Sequence, residues 1–207
     1  MNHLVYYTPL VIYIISSIIL VKLYYDSPLQ DKVIIPKISQ TGMTVLNKDI
    51  SVKVYLASFI LISMCALLLY MKCINIPKKP SLNKLIIGVG LIACVLNIVQ
   101  GIYTLDTNKI IHEMTAYGGI FLHLIALSLY LKYTNNHNKS VTYIIIMSWL
   151  SIMIFGILNI TSIKVGHTYL YQYKAPISLV SSFQRLCIFC LILAGVMIAK
   201  DKNCLNF

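Results

Sequence analysis

The sequence predicts an all-α membrane protein, a bundle of six transmembrane helices with short loops and both termini on the same side of the membrane. Hydrophobic residues make up 58% of the 207 positions, and the mean hydropathy is +0.80. Soluble domains contain roughly 45–50% apolar residues, and one of this length could not cover so much apolar surface. The apolar residues also form continuous runs of about 20, the length that a helix needs to cross the hydrocarbon core. Strands of a membrane barrel would instead alternate over about ten residues.

The six predicted spans form one domain that covers residues 1–207, with almost nothing outside the bilayer. The first segment has neither the basic start nor the small-residue cleavage site of a signal peptide, so we interpret it as a retained helix. Residues 26–52 form the main loop. The predicted spans are residues 4–25, 53–71, 85–105, 110–130, 141–163 and 177–199.

Tyrosines fall near the ends of the predicted spans, as expected for an aromatic belt at the membrane interface. They are Tyr6, Tyr7, Tyr24, Tyr25, Tyr70, Tyr103, Tyr130, Tyr133, Tyr143 and Tyr169. Most of the 6 cysteines lie inside apolar runs, which indicates small core-filling side chains rather than a disulfide framework. The cysteines in apolar runs are Cys65, Cys94, Cys187 and Cys190.

The net charge of +11 would suggest nucleic-acid binding in a soluble protein, but here the lysines stand at the ends of the apolar runs. Membrane topology and anionic lipid headgroups explain lysines in these positions, so we expect no nucleic-acid partner. The predicted topology places equal numbers of lysines on the two sides of the membrane. Those on the side of the N-terminus lie in shorter connections, which favours a cytosolic location for both termini.

Polar side chains inside the predicted spans are concentrated in one half of the membrane. The third and fifth spans end in this half, and the fourth and sixth spans begin there. The other half contains hydroxyl groups, with His123 near the middle. Burying a polar group in hydrocarbon is unfavourable, so each of these side chains needs a hydrogen-bond partner or has a functional role. The cluster consists of Asn97, Gln100, His112, Glu113, Asn159, Gln184 and Arg185.

Two interpretations of this cluster stay open. Amide and imidazole groups can join helices through hydrogen bonds worth roughly 0.6–2 kcal/mol each, or the same groups can line a pocket that faces a headgroup or substrate. Glu113 is the one acidic residue within the predicted spans, and Arg185 is the one arginine. We expect these two side chains to neutralise one another. No catalytic or metal-binding motif is present, so we predict no enzyme activity, no metal and no cofactor.

A motif in the main loop suggests a family. Ile35-Pro-Lys-Ile-Ser-Gln-Thr-Gly42 resembles the Pro-x-Ile-Ser-Asp-x-Gly signature of the damage-regulated autophagy modulator (DRAM) family. Gln40 stands where the family usually has an acid, so the resemblance is to a divergent member. The wider superfamily includes regulators of phosphoinositide-kinase complexes and a factor in the remodelling of glycosylphosphatidylinositol (GPI) anchors. The matching loop positions are Pro36, Ile38, Ser39 and Gly42.

The same family resemblance extends into the third and fourth spans. Asn97-Ile-Val-Gln100 is similar to the family's Asn-Phe-Gln at the end of its third helix, and the fourth-helix pattern is matched as well. The motif loop and the polar cluster lie on the same side of the predicted membrane, so we expect them to pack as one unit. The fourth-helix matches are His112, Gly119, Phe121 and Tyr130.

The resemblance implies a multi-pass endomembrane protein, lysosomal or linked to autophagy, although a plasma-membrane location is also compatible with it. It implies non-enzymatic action through membrane lipids or through protein partners in the bilayer. The alternative is a lipid-handling or lipid-remodelling protein that uses a polar intramembrane pocket. A transporter is disfavoured because no inverted repeat of broken helices is visible. The sequence leaves the oligomeric state open.

Overall fold

Long helices dominate the computed structural model of the protein, which describes residues 4–27, 36, 38–42, 50–76, 79–134, 138–164 and 174–202. Six helices of the described chain are long and apolar enough to cross a membrane, which confirms the predicted multi-pass helical class. A seventh, α2, is a single turn of helix inside the main loop. The helices are α1 (Leu4–Asp26), α2 (Ile38–Thr41), α3 (Ile50–Cys73), α4 (Pro80–Ile102), α5 (Lys109–Tyr133), α6 (Lys139–Lys164) and α7 (Lys174–Lys202).

The helix α4 starts earlier than the sequence indicated, at Pro80 rather than near residue 85. Proline suits the first turn of a helix because its missing N–H would have no partner there. The side chain of Asn83 ties this turn to the preceding connection. Its Oδ1 accepts from the backbone N of Ile76 at 2.8 Å, and its Nδ2 donates to the Ile76 carbonyl at 3.3 Å. This first turn is polar, so hydropathy alone could not detect it.

A tight turn joins α4 to α5, at the position where the sequence predicted one. The carbonyl of Thr104 accepts from the backbone N of both Thr107 and Asn108 at 3.1 Å. The side chain of Asn108 then caps α5 by accepting from the backbone N of Ile111 at 3.1 Å, a role that asparagine fills well. The short turn makes α4 and α5 antiparallel neighbours.

The six long helices form a ring, and α7 also reaches across it to contact α3 and α5. Each packs against the next along the chain, and α1 completes the ring by packing against α7. Lys200 donates to the hydroxyl of Tyr7 at 3.3 Å, so the start of α1 and the end of α7 lie at one end of the ring, here called the terminal end. The helix α2 contacts α1 and α7 at the opposite end, here called the loop end. Within the ring, Trp149 Nε1 of α6 donates to Ser128 Oγ of α5 at 3.0 Å.

The outer surface of the ring is apolar. Side chains such as Ile18, Met114 and Tyr143 are 64%, 70% and 65% exposed. Contact between so many apolar side chains and water would be unfavourable, whereas lipid tails match them. The outer surface therefore supports an integral, multi-pass membrane protein.

Four tyrosines assigned to an interfacial belt instead point into the bundle, so this part of the sequence prediction was wrong. Position near a helix end does not fix the direction in which a side chain points. Tyr133 does behave as expected at the interface, since the ammonium groups of Lys79 and Lys132 lie 4.4 and 5.5 Å from its ring centre. The inward tyrosines are Tyr6, Tyr24, Tyr70 and Tyr130, none more than 6% exposed.

Candidate functional site

A cavity of about 300 Å³ lies inside the ring, and α1, α3, α4, α5 and α7 all contribute to its wall. Along α1 the wall extends from Tyr6 to Leu20, which corresponds to about 20 Å of helix at a rise of about 1.5 Å per residue. The volume is at the lower end of the range for ligand pockets, roughly 300–1,000 Å³. The cavity is therefore long, narrow and aligned with the helices.

The wall of the cavity is mostly apolar. Leu20, Phe59, Ile62, Leu127 and Ile192 are typical of the side chains that form it. No Asp, Glu, Lys or Arg lines it among the residues that the structure describes. The polar members of the wall are Tyr6, Thr8, Tyr13, Ser16, Ser17, Ser58, Tyr70, Asn97, Gln100 and His123.

The side chain of His123 is the centre of a hydrogen-bonded network in this wall. Its Nδ1 lies 2.9 Å from the hydroxyl of Tyr70. Its Nε2 lies 2.9 Å from Nδ2 of Asn97. Three helices are joined by these two contacts, because Tyr70 belongs to α3, Asn97 to α4 and His123 to α5. The network places an imidazole, an amide and a phenol together inside the membrane.

Two glycines allow the partners of His123 to take these positions. A Cβ on Gly90 would lie 2.6 Å from ring atoms of Tyr70, and a Cβ on Gly119 would collide with Oδ1 of Asn97. Side-chain atoms do not approach each other so closely, so the phenol ring and the amide fit only against glycine. Gly90 of α4 and Gly119 of α5 therefore make room for the partners of His123.

Gln100 lies one turn beyond Asn97 on α4 and forms a separate contact. Its Nε2 donates to the hydroxyl of Tyr55 at 3.1 Å. The Tyr55 ring is fully buried, and a Cβ on Gly42 would lie 2.5 Å from it. The glycine of the loop motif therefore packs directly on the ring whose hydroxyl Gln100 binds.

His112 lies at the same end of the bundle but outside the cavity wall. Its Nδ1 donates to the carbonyl of Tyr103 at 2.7 Å, so the side chain joins the start of α5 to the end of α4. Its Nε2 is buried without a hydrogen-bond partner among the described residues. The ring centre lies 6.4 Å from that of Tyr55.

The loop motif is docked on α7 by two side chains that the sequence singled out. Gln184 Oε1 accepts from the backbone N of Ile38 at 3.1 Å. Arg185 donates from Nε and Nη2 to the carbonyl of Pro36, at 3.2 and 2.9 Å. The hydroxyl of Tyr13 donates to the Arg185 carbonyl at 3.1 Å, which adds α1 to the same contact. Loop and helices therefore pack as one unit at the loop end.

The described residues of the predicted cluster take part in different contacts. Asn97 and Gln100 line the cavity, while Gln184 and Arg185 hold the loop. The expected pair between Glu113 and Arg185 is wrong, because the guanidinium donates to a backbone carbonyl instead and no ion pair joins these two described residues. The side chains of Asn159 and of the motif residue Ser39 lie outside the described part of the structure.

The sequence did not reveal the tyrosines that complete the site. Tyr70 was assigned to the interface and Tyr55 was not singled out, yet each binds a polar side chain in the interior. The signal that could have indicated Tyr70 is His123, since a histidine in the middle of the membrane needs hydrogen-bond partners at its ring nitrogens.

Metal chemistry gives no second site within the described part of the chain, and Cys73, at the end of α3, is disulfide-bonded. No group of three or more His, Cys, Asp or Glu residues there could hold a metal ion. Cys65 lines the cavity, and the three other cysteines of the apolar runs are buried in the bundle. All four are free thiols, Cys65, Cys94, Cys187 and Cys190.

Fold and cavity together define a class, a multi-pass α-helical membrane protein with an elongated cavity between its helices, and no charged side chain of the described residues lines this cavity. Comparison with known proteins adds no narrower assignment: no family model, no curated protein and no solved structure matches the chain. The resemblance of the loop motif to the DRAM family therefore stays a prediction.

Proposed function

We propose that the protein handles membrane lipids, and that it holds the apolar body of one lipid in the cavity inside its helix ring. The observation that carries this proposal is the elongated, mostly apolar cavity within a bundle of membrane-spanning helices. If the polar residues were helix glue alone, a close-packed interior would serve better, because interiors pack with few voids larger than a water molecule.

The chemistry of the wall favours a lipid over a water-soluble solute. A sugar, a nucleotide or an ion would require charged or densely polar groups to replace its hydration shell. The described wall offers a few hydroxyl, amide and imidazole groups on a surface of aliphatic and aromatic side chains. Such a wall matches a molecule that is apolar over most of its length.

We propose that this action is non-enzymatic and proceeds through the bound lipid or through protein partners in the bilayer. Both ring nitrogens of His123 are engaged, by Tyr70 and Asn97, which favours a binding role over acid–base catalysis. The resemblance to the DRAM family supports a site of action on lysosomal or other endomembranes. Both this resemblance and the lysines in short connections support cytosolic termini.

A cavity-filling substitution tests the proposal. Ala66 of α3 lines the cavity, and Ala66→Phe places a ring in the space that the lipid would occupy. Ala57, on the same helix, faces outward, so Ala57→Phe adds the same ring without entering the cavity. We expect lipid that co-purifies after extensive detergent washing to fall severalfold in Ala66→Phe and to stay unchanged in Ala57→Phe, as measured by native mass spectrometry.

Thermal unfolding of both variants in detergent provides the folding control. Ser17 lines the cavity from α1, so Ser17→Phe repeats the experiment from another helix if Ala66→Phe is unstable. Equal lipid retention in wild type and in folded variants of both positions would show that the cavity holds no lipid.

A further inference from the structure

We propose that the ligand of the cavity is an uncharged lipid alcohol whose hydroxyl group is bound by Tyr70. This proposal rests on the proposed function and specifies the chemical class of the lipid. Tyr70 lines the cavity, is 1% exposed and belongs to the His123 network. The geometry of that network assigns its protons.

We infer the tautomer of His123 from the way the Asn97 amide faces it. Asn97 Nδ2 faces Nε2 of the imidazole, and an amide NH₂ group can only donate, so Nε2 holds a lone pair. The proton of the neutral ring then lies on Nδ1, which donates to the hydroxyl oxygen of Tyr70.

Tyr70 is left with a hydrogen to donate. A hydroxyl group has one hydrogen and two lone pairs, and the contact with His123 uses a lone pair. In this tautomer of His123 the hydroxyl hydrogen has no acceptor among the described residues. A buried donor without an acceptor is unfavourable by about 1–3 kcal/mol, so a ligand oxygen at this point of the wall would bind well.

Gln100 supplies the complementary group on the same wall. Its Nε2 is used by Tyr55, while its side-chain oxygen accepts no hydrogen bond from the described residues. Gln100 follows Asn97 by one turn of α4, a rise of about 4.5 Å. The wall therefore offers a donor and an acceptor, which a hydroxyl-bearing lipid can use and a pure hydrocarbon cannot.

The absence of charge in the described wall excludes the headgroups of common phospholipids from the cavity. A phosphate or ammonium group buried there would lack a counter-charge, which is strongly unfavourable in a medium of low dielectric constant. Tyr70 packs against Gly90, near the middle of α4. A lipid that places its oxygen here must enter the bundle whole, which an alcohol such as a sterol or a long-chain alcohol can do.

Photo-crosslinking in proteoliposomes tests this proposal with three diazirine probes, a sterol, a long-chain alcohol and phosphatidylcholine. Tyr70→Phe removes the proposed donor, and Tyr143→Phe makes the same change on the outer surface, where Tyr143 is 65% exposed. Loss of one hydrogen bond corresponds to about fivefold in affinity. We expect labelling by one of the two alcohol probes to fall about fivefold in Tyr70→Phe and to be unchanged in Tyr143→Phe.

Competition with unlabelled ligands keeps the proposal testable if Tyr70→Phe does not fold. The alcohol that labels should compete about fivefold better than the same molecule without its hydroxyl. Labelling by the sterol probe or by the long-chain probe shows which of these two classes of lipid alcohol the cavity binds.

Equal competition by the two molecules would overturn the proposal, as would alcohol labelling that is insensitive to Tyr70→Phe. Phosphatidylcholine labelling that responds to Ala66→Phe, with no such alcohol labelling, would overturn it while leaving the proposed function intact. If no probe responds to Ala66→Phe, both proposals fail.

Discussion

At the scale of single residues, tyrosine hydroxyls satisfy the polar groups that the helices bring into the membrane. Tyr70 binds the imidazole of His123, Tyr55 binds the amide of Gln100, and Tyr13 binds the backbone of Arg185. Each contact joins two helices, and interhelical hydrogen bonds in membranes contribute about 0.6 kcal/mol on average. Their value is therefore mainly in fixing which side chains face the cavity.

Gly119→Ala should destabilise the protein by about 1–3 kcal/mol, the usual range for overpacking a close contact. The new methyl group would collide with Oδ1 of Asn97, and moving this amide breaks its contact with His123. Gly88→Ala is the matched control, because nothing lies within 4 Å of its Cβ position. Alanine has a higher helix propensity than glycine, so Gly88→Ala should be neutral or slightly stabilising.

The measurement for these two variants is reversible unfolding in mixed micelles with increasing SDS. Equal stability of Gly119→Ala and Gly88→Ala would mean that the Asn97 amide can shift without cost.

At the residue scale the sequence indicated the amide and imidazole groups of the site but not its tyrosines. Asn97, Gln100 and His123 stand out because amide and imidazole groups are rare among apolar residues. Tyr55 and Tyr70 do not stand out, since tyrosine is common both at membrane interfaces and in interiors. Only the packing of α3 on α4, through Gly90, shows that Tyr70 points inward.

At the scale of elements, the docked loop is the feature that hydropathy could not predict. The helix α2 has four residues and carries no periodic signal, so its position depends on the contacts of its neighbours. The guanidinium of Arg185 and the amide of Gln184 hold the backbone at Pro36 and Ile38. The motif resemblance marked this segment, but its partner helix, α7, follows from the structure.

Arg185→Met should loosen the loop while leaving the helix ring intact. Hydrogen bonds from a charged donor contribute about 1.5–3 kcal/mol, so amide hydrogen exchange in residues 38–42 should become roughly tenfold faster or more. The ring itself should not lose stability, because methionine replaces a costly intramembrane charge. Hydrogen–deuterium exchange with mass spectrometry measures both effects.

Leu186→Met is the control for this experiment, since Leu186 is the next residue and is partly exposed to lipid. Unchanged exchange in Arg185→Met would show that other contacts hold the loop in place.

At the scale of the whole molecule, the order of the helices around the ring follows from the six antiparallel spans. The contact between α1 and α7 that closes the ring does not. Short turns such as the one at Thr104 force neighbours in sequence to be neighbours in space. Contact between α1 and α7 joins the two ends of the described chain, and no local pattern encodes it. The hydropathy pattern therefore predicts the number of helices, whereas the cavity between them follows only from the structure.

The orientation of the ring can be tested with single cysteines at its two ends. Ser140 and Lys109 are both exposed, the first at the terminal end and the second at the loop end. After digitonin opens only the plasma membrane, an impermeant maleimide should label Ser140→Cys and should label Lys109→Cys only after full solubilisation. Labelling of the unmodified chain gives the background, and the reverse pattern would place the terminal end in the lumen or outside.

The uncharged wall of the cavity also has an electrical consequence. Moving an ion into an apolar space without counter-charges carries a free-energy barrier of at least several kcal/mol, and the described wall contains no Asp, Glu, Lys or Arg to lower it. The described part of the wall therefore offers no favourable position for an ion, which agrees with the proposed lipid ligand. Under the lipid-handling proposal, exchange of an uncharged ligand along this wall would not require an ion to enter the cavity.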